Sequence, residues 1–233
     1  MFKQRSYQKE LLDETDIPKD LLNQNLKELE FINKYLGGHA ISVKGLKKIA
    51  TDKSKIYTIM DVGCGGGDSL KAIANWSKKE GYNINLNGVD LKEDCITYAK
   101  NNCSNYDSIN FSCEDFRNAF SEQIPINIVH ASLFCHHFTE TEIIDFIKLC
   151  SKNKAIFVIN DLERNLIAYY SIKLLTKLFS KSPLVKNDAP LSVLRGFKKT
   201  EWISILQKSG IENYTVKNRW AFRHLVIVYP NES

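Results

Sequence analysis

The stretch Ile56-Tyr57-Thr58-Ile59-Met60-Asp61-Val62-Gly63-Cys64-Gly65-Gly66-Gly67-Asp68 decides the fold. Ile56 to Val62 is a short apolar run with β-branched residues, it stops at glycines, and helical periodicity takes over from Asp68 to about Lys79. A strand, a glycine turn and a helix in that order form the unit from which parallel sheets are built. Downstream the alternation continues with a strand at Ile84–Asp90, a helix at Glu93–Asn101 and strands at Ile109–Cys113 and Ile126–Leu133. A helix at Thr141–Ser151 and a strand at Ala155–Ile159 follow. Brief apolar runs of this kind suit strands covered on both faces.

Outside that core the pattern changes. Residues 7–36 carry leucines and isoleucines at mostly helical spacing, interrupted by Asp16-Ile17-Pro18 and closed by Gly37-Gly38, which predicts helix, turn, helix. A further short helix is expected from Val43 to Ile49. The alternation breaks over 162–197, then returns as a helix at Thr200–Ser209 and two strands, Tyr214–Asn218 and Arg223–Tyr229, that would pair as an antiparallel hairpin at the sheet edge. The expected architecture is α/β and doubly wound, with a mostly parallel seven-stranded sheet. It forms one domain over 1–233, divided into N-terminal helices (1–50), a core (55–160), a helical lid insertion (162–197) and a C-terminal helix and hairpin (198–233).

The bulk composition narrows the function. Of 233 residues 43% are hydrophobic and 25% charged, which fits a folded globular chain. The net charge of +5 is spread along helices, so no nucleic-acid partner is expected. Six cysteines, at 64, 95, 103, 113, 135 and 150, include no CxxC pair, so no structural metal is expected and the spacing suits a reducing, cytoplasmic setting. The charged start MFKQRSYQKELLDETD lacks the apolar run of a signal peptide.

The turn at 63–68 selects among ligands. A dinucleotide fingerprint beginning at Gly63 would need its third glycine at position 68, where this chain has Asp68. A carboxylate there would repel a pyrophosphate by about 4 kcal/mol at close range with an effective ε near 20. No Lys-Ser/Thr pair follows the glycines, so a P-loop is excluded as well. An acidic turn beginning at Asp61 suits a ligand with an amino group and a sulfonium. Asp90 ends the second strand 23 positions after Gly67, where a carboxylate can accept both hydroxyls of a ribose. Glu114, Asp115 and Phe116, after the third strand, offer an acceptor for an adenine amino group and a ring for its face.

Together DVGCGGGD, GVD and CEDF, each at a strand end, resemble the class I S-adenosylmethionine-dependent methyltransferases, with the likeness covering roughly residues 55–160. The resemblance implies a Rossmann-like fold and S-adenosylmethionine as cofactor. It assigns Gly63 and Gly65 to the methionine end, Asp90 to the ribose and Asp115 to the adenine, with Leu91 and Ala131 counted among the cofactor-binding positions. Where that family often has Asp at the start of the fourth strand, this chain has Asn127.

The segment His130 to Phe138 resembles the family's acceptor-side motif, and a hydroxyl acceptor must lose a proton during in-line transfer. His137, then His136, are the candidate bases, joined by Asp161. Arg164 and Tyr169 are candidates for substrate binding. Residues 166–179 form a basic amphipathic helix with Lys173, Lys177 and Lys181 four apart, read either as packed core, as a lid over the acceptor, or as a contact with an anionic membrane. The layout is similar to bacterial methyltransferases of polyketide or quinone-like phenolic products. O-methylation of a small, largely apolar hydroxylated acceptor is therefore expected, with C-methylation of a quinone precursor as the nearest competitor. An NAD-dependent oxidoreductase and a non-catalytic cofactor-binding module stand further off.

Overall fold

A computed structural model describes residues 2–120 and 125–231. A 3-10 turn at Leu11–Asp13 precedes helices α1 (Lys19–Tyr35) and α2 (Gly38–Leu46). The core then runs β1 (Ile56–Val62), α3 (Asp68–Glu80), β2 (Asn83–Asp90), α4 (Glu93–Asn102), β3 (Ile109–Cys113), β4 (Ile128–Ser132), a 3-10 turn at Cys135–His137, α5 (Glu140–Lys152) and β5 (Ile156–Leu162). After it come α6 (Leu166–Phe179), α7 (Pro183–Arg195), α8 (Lys199–Lys208), β6 (Tyr214–Arg219) and β7 (Arg223–Val228).

The seven strands lie in the order β3-β2-β1-β4-β5-β7-β6. The first five are mutually parallel and β7 runs antiparallel to both its neighbours. This is the Rossmann-like sheet with an antiparallel C-terminal pair that the alternation of elements predicts, except that β7 is inserted between β5 and β6. Successive side chains of one strand enter opposite cores: Ile128 and Val158 pack with Leu70 and Ile73 of α3, whereas Val129 and Phe157 pack with Ile147 of α5 and Trp202 of α8. Burial on both faces explains why β4 and β7 read as apolar runs instead of alternating ones.

Two segments differ from the sequence expectation. Residues 7–13 form no α-helix, only the 3-10 turn at Leu11–Asp13. Backbone N–H groups that a helix would satisfy internally are taken up by distant partners: Leu11 and Leu12 donate to the Asp188 carboxylate at 2.8 and 2.9 Å, and Ser6 donates to the Leu194 carbonyl. The insertion holds two helices, not one. Ser182 caps α7 through the Val185 N–H, Pro183 opens it, and Pro190 is accommodated inside it. Among the described residues no helix is long and apolar enough to cross a membrane.

Candidate functional site

Two cavities meet beyond the carboxyl ends of β1 and β4, where the strand order reverses, the usual ligand position in doubly wound sheets. The first encloses about 340 Å³. It is walled by the glycine turn, by the residues after β2 and β3, and by Leu133, Phe134, His137 and Phe138. Gly63, Gly65 and Gly67 adopt φ of +64, +51 and +75°. At Gly63 a Cβ would stand 2.1 Å from the Phe134 ring, so only glycine lets the turn and the aromatic wall coexist.

Acidic groups of the turn are held from behind. Asp61 is 2.6 Å from His130 Nδ1, and His130 Nε2 is 2.8 Å from Ser42 Oγ, which also accepts from Asn160. Asp68 accepts from Asn33 at 3.0 Å and faces His39 Nε2 at 2.7 Å. Burial alone would raise the Asp68 carboxyl, but the His39 hydrogen bond and charge outweigh it and hold the group below its ordinary range. Asp90 turns one carboxylate oxygen to Gly65 N and the other to Lys92 N, each at 3.0 Å, which ties the turn to β2. Each oxygen keeps a lone pair for a further donor. Burial pushes the Asp90 carboxyl up.

Leu91, Glu114, Asp115 and Phe116 line the same cavity. Phe116 lies 4.2 Å from Phe146 and edge-on to Phe134, so its ring is fixed. Asp115 accepts from the Arg117 backbone at 2.9 Å and from its Nε at 2.8 Å, and that side-chain bond holds the carboxyl below the usual range. Ala131 is fully buried in the core, behind the wall and not in it.

The second cavity, about 780 Å³, lies between α1, α6, α7 and the β6–β7 turn. It shares Leu12, Leu29, Leu133 and His137 with the first. Its walls include the apolar Ile32, Leu36, Ile172 and Val193, and Glu10, His136, Glu163, Asp188 and Arg223 are among its polar groups. His137 Nδ1 is 3.1 Å from Asp13 and its Nε2 is 3.9 Å from Glu10. Burial would raise the Asp13 carboxyl, but the His137 hydrogen bond and charge bring it down to about 2. Leu133, at the junction, adopts φ +53°, a left-handed conformation that costs a non-glycine residue roughly 1–2 kcal/mol.

His136 is buried against Asp161, with Nδ1 2.7 Å from one carboxylate oxygen and its backbone N–H donating to the other at 2.8 Å. Neither Asp161, Arg164 nor Tyr169 lines either cavity. β5 continues to Leu162, so Asp161 stands behind His136. Arg164 is buried and bonds Glu201 at 2.6 Å and the Gly196 carbonyl at 2.7 Å, while Tyr169 packs on Phe2 and Tyr170.

Several residues here have no sequence signal. Arg5 donates to the carbonyls of His136 and Phe138, and Arg195 donates to those of His136 and His137, clamping the histidine turn. Glu10, His136 and His137 bring ligand-capable atoms within 4.8 Å of one another, an arrangement able to hold a cation. Glu10 sits over a hundred positions upstream in a stretch read as helix, which hides it from any spacing rule.

A family model described as a methyltransferase domain matches residues 53–210. No curated protein matches the chain. Among solved structures, the plantazolicin methyltransferase BpumL in complex with SAH superposes with a TM-score of 0.64 at 17% identity, over 91% of this chain and 95% of that one. Human N-acetylserotonin methyltransferase in complex with SAM gives 0.62 at 15% identity, over 92% and 57%. The citrinin polyketide synthase CMeT domain gives 0.59 at 14%, over 89% of this chain and about half (52%) of that one. At these identities the superpositions show a shared fold.

Proposed function

Because the chain belongs to the methyltransferase domain family, we propose that it methylates a hydroxyl of a small, largely apolar phenolic or polyketide-like acceptor, with residues 1–233 acting as one catalytic unit. Its cofactor is S-adenosylmethionine, which when bound supplies an electrophilic methyl group. The residues of the smaller cavity suit that molecule. A turn with no Cβ at Gly63, three carboxylates (Asp61, Asp68 and Asp90) and the apolar Leu133, Phe134 and Phe138 can hold a ligand that is cationic at one end. Asp90 would hold the ribose, Asp115 and Phe116 the adenine, and Gly63, Gly65 and Asp61 the methionine end, with Leu91 and Glu114 alongside.

The observation that carries this reading is the position of His137 on the wall common to both cavities, with Nδ1 against Asp13. An Nδ1–H donated to Asp13 leaves the Nε2 lone pair to take a proton from an acceptor in the larger cavity. His136 and Asp161 would position the turn that carries it. Arg164, through Glu201 and the Gly196 carbonyl, and Tyr169, through Phe2, would act by packing and not through contact with the acceptor.

Two measurements test the proposal. Calorimetric titration with S-adenosylmethionine and with NAD should show binding of the first only. Incubation with a panel of phenols and enols should yield a product heavier by one methyl, carried on oxygen; methylation on carbon, or none on any hydroxylated acceptor, would overturn the O-methyl assignment.

A further inference from the structure

Ten of the thirteen large apolar side chains exposed among the described residues belong to three places in the fold: α6, the end of α1 and the β6–β7 turn. Tyr170, Leu174 and Leu178 are spaced four apart on α6 and are 57, 58 and 64% exposed. Phe31 and Tyr35 on α1 and Trp220 in the turn are exposed to a similar degree. The three places adjoin. They all line the larger cavity, Trp220 comes within 3.6 Å of where a Cβ at Gly37 would stand, and Glu28 of α1 bonds the residues that end α6. Leu175 and Trp220 are at once lining and exposed, so the cavity opens on this face.

Monomers rarely leave so large an apolar patch in water. The exposed charge of α6 and the end of α1 is mainly positive, with Glu28 engaged by the residues that end α6. α6 has no acidic residue, and Lys173, Lys177 and Lys181 are exposed along it, with Lys34 beside Tyr35 on α1. A second copy docked about a two-fold axis would set these lysine rows against each other. An anionic lipid surface complements both features, since it takes the apolar stripe into its interfacial layer and the ammonium groups at its headgroups.

We propose that this face rests on an anionic bilayer, with α6 lying along the interface and Trp220 at the cavity mouth, and that the acceptor is a membrane-soluble amphiphile that enters the larger cavity from the lipid. The proposal depends on that cavity being the acceptor site. Its test separates the two. The full chain is sedimented with vesicles of phosphatidylcholine alone and with phosphatidylglycerol added, and tryptophan emission is followed; Trp76 and Trp202 are buried, so a change reports Trp220. Binding and a blue shift are expected with the anionic vesicles and should fall as salt rises. A variant combining Leu174→Ser, Leu178→Ser and Trp220→Ala should lose at least about tenfold in vesicle affinity while keeping S-adenosylmethionine affinity. With 4-alkylphenols of increasing chain length, kcat/KM should rise with the chain, and added vesicles should raise it further in the wild type only. Equal or absent binding to the two vesicles would overturn the docking. So would a concentration-dependent dimer that the variant abolishes, which would assign the face to a second copy. Vesicle binding by a chain that methylates no alkylphenol would uphold the docking and overturn the acceptor assignment alone.

Discussion

Asp161 and His136 face each other at 2.7 Å with side chains only 1 and 2% exposed, and His136 Nε2 lies 3.4 Å from Glu10 on its other edge. Burial by itself would lower the imidazole pKa, but the Asp161 charge and hydrogen bond, with Glu10 added, raise it to about 9. His136 is therefore an imidazolium at neutral pH and has no lone pair to serve as a base. Its folded pKa exceeds its unfolded value, so its contribution to stability is complete below about pH 6.5 and is lost as pH rises through about 9. Denaturant unfolding from pH 6 to 10 should show that decline, and His136→Gln should flatten it. Losing the partner of a buried carboxylate should also cost about 3–5 kcal/mol at pH 7.

Gly63 and Gly81 form a matched pair. Both have positive φ, +64 and +73°, yet a Cβ at Gly63 meets Phe134 at 2.1 Å while one at Gly81 meets nothing within 4 Å. Both alanine substitutions should lose roughly 1–2 kcal/mol of stability from the left-handed backbone. Only Gly63→Ala should also weaken S-adenosylmethionine binding, by about tenfold or more, because Phe134 must leave the wall that Phe116 and Phe138 brace. Equal affinities in calorimetry would take Gly63 out of the site.

Asp90→Ala removes the acceptor proposed for the ribose and also the bond that restrains Gly65. Cofactor binding should weaken by about 1.5–3 kcal/mol for each charged hydrogen bond lost. Asp90→Asn keeps an acceptor oxygen and should fall between wild type and Ala. Unchanged cofactor affinity in both variants would exclude Asp90 from the cofactor site.

The sheet and its glycine turn were legible because their signals are local. A buried strand needs a short apolar run, and a turn that approaches a ligand needs glycine. The acidic residues at three strand ends were legible because topology brings strand ends together without further information. What escaped depends on contacts between distant segments. Residues 7–13 have helical spacing, yet Asp188 and Arg195 of α7 capture their backbone groups and carry Glu10 and Asp13 to the histidines. α7 itself was hidden by Pro190, which as a lone signal marks an ending. Asp161 reads as a cleft residue because the apolar run stops at Ile159, and three more strand residues, through Leu162, turn it inward.

Glu10, His136 and His137 could accept a divalent cation, but Arg195 Nε lies 3.8 Å from the same Glu10 carboxylate and the imidazolium of His136 adds a second positive charge. As an imidazolium His136 has no lone pair to give a metal, and Arg195 already faces the Glu10 carboxylate. Methyl transfer should therefore withstand dialysis against a strong chelator within about twofold. Loss of activity restored by one divalent ion would instead make the three residues ligands.

The last prediction concerns His137, whose Nδ1 contact to Asp13 would fix a tautomer in reach of both cavities. If His137 takes the acceptor's proton, His137→Gln should lower kcat by about 10²–10⁴-fold and leave S-adenosylmethionine affinity within a few-fold, since a base helps only in the transition state. Asp13→Asn should lower kcat less, because the imidazole survives while the charge that orients it is gone. Asp13 stays ionised in the folded chain down to about pH 2, so its support of His137 should persist across any pH at which the chain is folded. If one base takes the proton, the wild-type rate should rise with pH along a single limb, which His137→Gln abolishes. A limb that survives in His137→Gln would assign the proton transfer to another group, and equal losses of rate and cofactor affinity would make His137 a wall of the cofactor cavity.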